Sequence, residues 1–244
     1  MSNADRRISL ITGANKGIGL EVARQLGQAG HRVLLGARDE TRGREAANTL
    51  QSEGIDVRYV PVDLSDAASL AATAADIEAN EGRIDVLVNN AAIALQNDGL
   101  PGVVPLDAVR QTFETNFFGT IAVTQAFLPL VKKSASGRIV NVSSGLGSIT
   151  LNNDPTWDYA AVKFLGYNGS KAALNMFTVL LAAELKDLGI KVNAADPGYT
   201  ATDLNGNSGH QTIPEGAAEA IRLALLPDDG PTGTFSNSEG SEPW

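Results

Sequence analysis

One turn constrains this chain more than any other stretch: Thr12-Gly13-Ala14-Asn15-Lys16-Gly17-Ile18-Gly19. The short apolar run before it, Arg7 to Ile11, reads as a buried strand. After it, Ile18, Val22 and Leu26 stand at helical spacing, with Gly30 as a stop. A strand ending in a glycine-rich turn that opens a helix aims free backbone N–H groups and a positive dipole end at one point. That point suits a phosphate. Glycines belong there because a side chain would block both the tight turn and the close approach of a pyrophosphate. The spacing is Gly-x3-Gly-x-Gly, not the Gly-x-Gly-x2-Gly of the general dinucleotide fingerprint. Alone, the turn is also compatible with an ordinary β–α connection.

The rest of the chain alternates in the same way. Strands are expected near 7–12, 32–37, 56–61, 84–89, 137–142, 190–195 and 232–236, and helices near 17–29, 40–52, 66–80, 103–132, 160–188 and 214–226. That alternation predicts a doubly wound α/β fold with a mainly parallel, seven-stranded sheet covered on both faces. With 244 residues, 43% of them hydrophobic, and no composition break, one domain over 1–244 is expected. The net charge of −9 argues against nucleic-acid and anionic-membrane partners. The absence of cysteine excludes disulfides, thiolate metal sites and a cysteine nucleophile. His31 and His210 show no metal-ligand pattern and read as surface residues, so no metal is expected. Met1 to Arg7 is polar without an apolar signal core, and no apolar run is long enough to span a bilayer. A soluble cytoplasmic protein is the expectation.

In such a sheet the ligand lies at the carboxyl ends of the strands. The second strand is followed by Ala37-Arg38-Asp39, with Arg42 and Arg44 nearby. A free ribose 2′-hydroxyl favours a carboxylate at this place and a 2′-phosphate favours arginine. Here Ala37 takes the carboxylate's place, Arg38 follows, and Lys16 stands in the first turn, a pattern that favours NADP over NAD. After the third strand, Asp63 beside Leu64 can accept from an adenine amino group; the alternative is that Asp63 or Ser65 caps the next helix. The fourth strand runs into Asn89-Asn90-Ala91-Ala92, whose amides can tie loops together and line a ribose. The fifth ends in Ser143-Ser144 and the sixth in Asp196-Pro197-Gly198-Tyr199-Thr200-Ala201-Thr202.

Tyr167 and Lys171 are four apart at the start of a segment with Leu174, Phe177, Leu181 and Leu185 on one helical face. A nearby ammonium stabilises phenolate, lowers the tyrosine pKa and makes it a usable acid–base group. Ser144 can donate to a substrate carbonyl as charge develops on its oxygen. Tyr159 and Lys163 repeat the same spacing eight residues earlier.

Together these residues resemble the short-chain dehydrogenase/reductase family over nearly the whole chain. Thr12 to Gly19 matches its cofactor turn, with Gly13, Asn15, Lys16, Gly17, Ile18 and Gly19 as expected cofactor contacts. Asn89-Asn90-Ala91 matches most of its Asn-Asn-Ala-Gly element, and Asn116 in Glu114 to Gly119 its catalytic asparagine. Asn141 to Ser144 and Tyr167 to Ala173 match its serine and tyrosine–lysine elements, and Pro197-Gly198 with Thr200 and Thr202 the loop beside the nicotinamide. The stretches Thr115 to Gly119 and Ala37 to Gly43 most resemble the NADPH-dependent carbonyl reductase branch. The resemblance implies a Rossmann-type domain that binds NADP(H) and reduces a ketone or aldehyde, with a small carbonyl or alcohol compound as its partner. It selects Tyr167 over Tyr159 as proton donor. It gives Lys171 the role of lowering the tyrosine pKa and holding the ribose, Ser144 that of orienting the carbonyl, and Asn116 that of holding a water. An NAD-linked alcohol dehydrogenase and a non-catalytic NADP-binding regulator are the alternatives.

Two departures stand out. Ala92 replaces the family's glycine. Ser144 and Tyr167 lie some ten residues further apart than the family usually places them, an expected insertion at about 146–166 that can shape the pocket or block association, leaving homodimer or monomer open. A mobile substrate loop is expected at about 203–213, where Gly206 and Gly209 permit movement.

Overall fold

The fold was obtained as a computed structural model and is described for residues 6–244; Met1 to Asp5, part of the polar stretch noted above, lie outside the described residues. The elements run β1 (Ile8–Thr12), α1 (Gly17–Gln28), β2 (Arg32–Ala37), α2 (Glu40–Ser52), β3 (Val57–Pro61), α3 (Ala67–Glu81), β4 (Val86–Asn89), α4 (Leu106–Phe113), a π-helical turn (Glu114–Gly119) and α5 (Thr120–Val131). They continue with β5 (Arg138–Val142), α6 (Ile149–Asn153), α7 (Leu165–Leu185), β6 (Lys191–Ala195), α8 (Ile213–Ala224), β7 (Phe235–Asn237) and β8 (Gly240–Ser241). The strand order is β3-β2-β1-β4-β5-β6-β7-β8, parallel except for β8 against β7. Strand order reverses between β1 and β4, which opens a crevice at their carboxyl ends.

The near-continuous apolar strands follow from burial on both faces. Alternate residues of one strand enter different cores. Ile11, Leu35, Val88 and Val140 pack with Val22, Leu26 and Leu50 on one side. Their neighbours Leu10, Leu34, Leu87 and Ile139 pack with Leu70, Ile77, Phe127 and Leu185 on the other. Leu10 and Ile11 are both fully buried, and each such side chain is worth about 1.5–3 kcal/mol of transfer free energy. The three layers are therefore encoded as two interleaved hydrophobic sets.

Four expectations are corrected. Among the described residues the sheet has eight strands rather than seven, because the antiparallel β8 holds only two residues and leaves no periodic signal. The single helix expected over 103–132 is α4, a π turn and α5 in succession. The helix expected from 160 starts at Leu165, where Asp98 takes up its first amides; Tyr159 lies in a turn and Lys163 in an irregular stretch ahead of it. Finally, His31 is buried, 2.7 Å through Nδ1 from Ser9 Oγ, rather than on the surface.

Among the described residues, no helix is long and apolar enough to cross a membrane, and no group of His, Cys, Asp or Glu could hold a metal ion.

Candidate active site

A cleft of about 810 Å³ lies at the crevice. Its floor is the turn after β1. Gly13 and Gly17 take positive φ (61° and 57°), a conformation open mainly to glycine. A Cβ on Gly19 would stand 2.4 Å from Asn90 Nδ2 and 2.6 Å from Gly13 O, so that glycine is demanded by close approach instead. Asn90 Nδ2 donates to Thr12 O (2.9 Å) and Gly13 O (3.2 Å), and Thr12 Oγ1 accepts from the amides of Asn90 and Ala91. The ends of β1 and β4 are thus stitched together. Lys16, at the N-cap of α1, makes no side-chain cap bond, so the first amides of α1 stay available to an anion.

Asn15, Lys16, Ile18, Arg38, Asp63, Leu64, Asn90 and Ala91 line the cleft with the glycines. Of the three arginines after β2, Arg38 alone does so. Arg44 pairs with Glu40 at 2.8 Å and lies over the Tyr59 ring, and Arg42 N donates to Asp39, the cap of α2. Asp63 Oδ1 accepts from Ser65 N and Oγ, while Asp66 caps α3; neither Asp63 nor Ser65 is the helix cap that the sequence allowed. Burial works to raise the Asp63 carboxyl, but the two Ser65 bonds and the Arg38 charge outweigh it and hold it below the usual range. Lys16 Nζ reaches Asp203 Oδ2 at 2.8 Å, linking the first turn to the segment after β6.

At the other end, Tyr167 and Lys171 project from the first turns of α7. That helix has no local side-chain cap. Asp98, from a distant loop, accepts from the amides of Gly166 (3.0 Å) and Tyr167 (2.7 Å) and fixes where the helix begins. Lys171 is buried, donates to Val142 O at 2.7 Å, and sits 5.7 Å from the Tyr167 ring centroid. Ser144 Oγ accepts from Leu146 N and acts on the Tyr167 phenol in the direction that lowers its pKa. Ser143 borders the cleft, but its hydroxyl is held by Asn175 Oδ1 at 2.5 Å. The serine pair is therefore divided into one structural member and one facing the tyrosine.

The pKa directions differ from the simple pairing argument. Burial pushes the Tyr167 phenol up to about 12, Asp196 adds to the rise, and Ser144 opposes it. Burial draws Lys171 down to about 8 against the pull of Asp196. Desolvation dominates over any depression of the phenol by Lys171.

Asn116 is buried in the π turn. Its Oδ1 accepts from Ile93 N (2.8 Å), and its Nδ2 donates to Ile93 O (2.9 Å) and Ser170 Oγ (3.1 Å). Its amide thus braces the loop after β4 against the residue preceding Lys171. Pro197 and Thr202 line the cleft, but Asn116, Ser144, Gly198 and Thr200 stand behind its wall. Thr200 is buried and donates to Pro197 O, and Thr202 forms a capping box with Asn205. The second tyrosine–lysine pair is not brought to this wall. Lys163 Nζ donates to Asn152 O at 3.0 Å, and Tyr159 meets the rings of Trp157 and Tyr199 edge-on.

Sequence reasoning missed Asp98, which carries no local signal because the helix it caps is far along the chain.

With this geometry in view, the chain was compared with known proteins. The family model described as short chain dehydrogenase matches residues 7–212. "Short-chain dehydrogenase/reductase 1" of Saponaria officinalis is 36% identical, over 95% of this chain and 94% of its own length. "Carbonyl reductase [NADPH] 1" of Mus musculus is 33% identical, over 99% of this chain and 100% of its own. That alignment has 286 positions against 244 residues here, so the mouse protein carries stretches this chain lacks. Among solved structures, the NADPH-bound carbonyl reductase from chicken fatty liver superposes with a TM-score of 0.85 at 30% identity, covering 98% of this chain and 94% of that one.

Proposed function

The chain belongs to the short-chain dehydrogenase family, and we propose that it is an NADPH-dependent carbonyl reductase that converts a ketone or aldehyde to the alcohol. The observation that carries this reading is one cleft lined both by a glycine turn with free helix amides and by Tyr167 and Lys171, with Ser144 just behind that wall. The fit to a dinucleotide rests on the floor that a Cβ on Gly19 would fill and on the uncapped start of α1. The amides of Gly17 to Gly19 would hold the pyrophosphate, Arg38 and Lys16 a 2′-phosphate, and Lys171 a ribose hydroxyl. Bound NADPH supplies the hydride.

The chain's own groups do the rest. A phenol held at about 12 keeps its proton at neutral pH. Tyr167 is therefore loaded as a donor, and its proton goes to the carbonyl oxygen as negative charge grows there. Ser144 donates a hydrogen bond to the same oxygen. The ammonium of Lys171, fixed by Val142 O, stabilises the tyrosinate left behind. Asn116 keeps Ser170, and so the Lys171 backbone, in register with the loop after β4. The 146–166 segment packs beside the tyrosine end of the cleft without lining it, with Trp157 beside Gly145 and Tyr159 against Tyr199. The 203–213 loop is the moving part, hinged at Gly206 and tethered by Asp203 to Lys16.

The test is NADPH oxidation with a panel of activated ketones, using wild type, Tyr167→Phe and Tyr159→Phe. The expected result is turnover by wild type and Tyr159→Phe, with Tyr167→Phe reduced about 10³-fold at unchanged NADPH affinity. Collapse of Tyr159→Phe alone would move the site to the other pair. Preference for NADH would favour the alcohol dehydrogenase, and tight NADPH binding without any turnover the regulator.

A further inference from the structure

Behind Tyr167 and Lys171, two carboxyl groups meet in the protein interior. Asp196 ends β6 and is buried. Its Oδ1 accepts from Gly198 N at 3.0 Å, and its Oδ2 lies against Gly145. Its two oxygens thus face the loop that follows Ser144 and the loop that follows Pro197. Glu242, in the segment that closes over β7, has its carboxyl close enough to Asp196 for each group to act on the other's charge. Glu242 N donates to Phe235 O (2.9 Å), and Glu242 Oε1 accepts from Asn237 Nδ2 (2.9 Å). Glu242 Oε2, by contrast, is buried and has no donor facing it.

Two carboxylates cannot hydrogen-bond without a proton between them, and a buried carboxylate oxygen with no donor is costly. Burial raises the Asp196 carboxyl, but the Gly198 amide, the Glu242 carboxyl and the Lys171 charge all favour its ionised form. The proton therefore belongs on Glu242. We infer that Glu242 is a positioning residue: as a protonated acid it donates to Asp196, and this pair locks together the two loops that flank Tyr167 and Lys171. The inference rests on the carbonyl reductase reading for its kinetic consequence, though not for the pair itself.

The surroundings agree. The groups facing Asp196 are Lys171, Glu242 and the phenols of Tyr167 and Tyr159. Glu242 faces Asp196 and, on α8, Glu219, which is engaged by Arg222 and by the Ser236 hydroxyl. Among the described residues, no cation acts on Glu242 itself. Burial and Asp196 raise its carboxyl to about 8. Above that pH the pair carries a second negative charge beside Tyr167, which raises the phenol further and depletes the tyrosinate needed to oxidise an alcohol.

The experiment has two arms, each run on wild type, Glu242→Gln and Glu242→Ala. The first is a carbon-13 NMR titration of labelled glutamate carboxyls, which needs no turnover. One carboxyl is expected to titrate near pH 8 in wild type and to vanish from the Glu242→Gln spectrum. Titration of Glu242 in the ordinary carboxylate range overturns the pair, whatever the enzyme does. The second arm follows alcohol oxidation against pH, and NADPH affinity in parallel. Wild type should bend downward above about pH 8, whereas Glu242→Gln, a neutral donor at every pH, should keep rising. Glu242→Ala, which lacks the donor, should lose roughly tenfold in kcat and bind NADPH less tightly, and Glu242→Gln should restore both. Superimposed profiles for wild type and Glu242→Gln, together with unchanged NADPH affinity in Glu242→Ala, overturn the positioning role. If no variant turns over, the reductase reading fails, while the titration and the NADPH affinities still decide the inference.

Discussion

Arg38 and Lys16 stand in water at one end of the cleft, whereas Lys171 and Asp196 are withdrawn from it at the other. At the first end the work is done by backbone amides and by charges whose solvation is nearly intact. A change there alters affinity, and salt modulates it. At the second end desolvation moves Tyr167 to about 12 and Lys171 to about 8, so a change alters which proton is where. Binding and proton transfer are thus separated along one groove by the dielectric that surrounds each.

The separation can be broken deliberately. Gly19→Ala forces a Cβ against Asn90 Nδ2 and Gly13 O. It should weaken NADPH binding roughly 10- to 100-fold while kcat at saturating cofactor changes far less. Fluorescence titration beside steady-state kinetics measures both; an equal fall in kcat would mean that the floor also sets the chemistry. Arg38→Ala should raise KM for NADPH about tenfold at low salt and leave NADH almost unchanged, the gap narrowing as salt is added. A third buried titrating group, remote from the cleft, sharpens the contrast. His31 is held down to about 4 by burial, with the Arg7 charge adding to the effect. The unfolded chain takes up this proton below about pH 6.5 and the folded one does not. Stability is therefore full above 6.5 and declines as the pH falls towards 4. Between pH 7 and 5 the loss should be on the order of 1 kcal/mol, about 3 °C in Tm, and smaller in His31→Gln, with no effect on turnover at neutral pH.

Much of this architecture is legible in the sequence, for reasons that also show where reading fails. Strands β1, β2 and β4 to β6 declare themselves because burial on both faces leaves mainly apolar runs, and the glycine turn because Gly13 and Gly17 need positive φ. Tyr-x3-Lys occurs twice, and spacing has meaning only where the chain is helical. Which pair gains a helix depends on Asp98, a residue that no local pattern connects to α7. The sign of the Tyr167 shift escaped for a related reason. Proximity to Lys171 can be read from numbering, but the loss of water around both groups arises from packing across the whole sheet. Lys16 likewise reads as a free cation, and its partner Asp203 is supplied by a distant segment.

The π turn at Glu114–Gly119 has a consequence for how this chain can vary in length. It leaves α4 and α5 out of phase, like two rulers joined with one division too many. Deleting a residue there would give a more regular helix, yet it would rotate α5 by about 100° relative to α4. Val123 and Phe127, both fully buried, would swing away from the sheet, or Asn116 would leave Ile93 and Ser170. An irregularity of one residue thus sets the reading frame in which one helix serves both the core and the cleft.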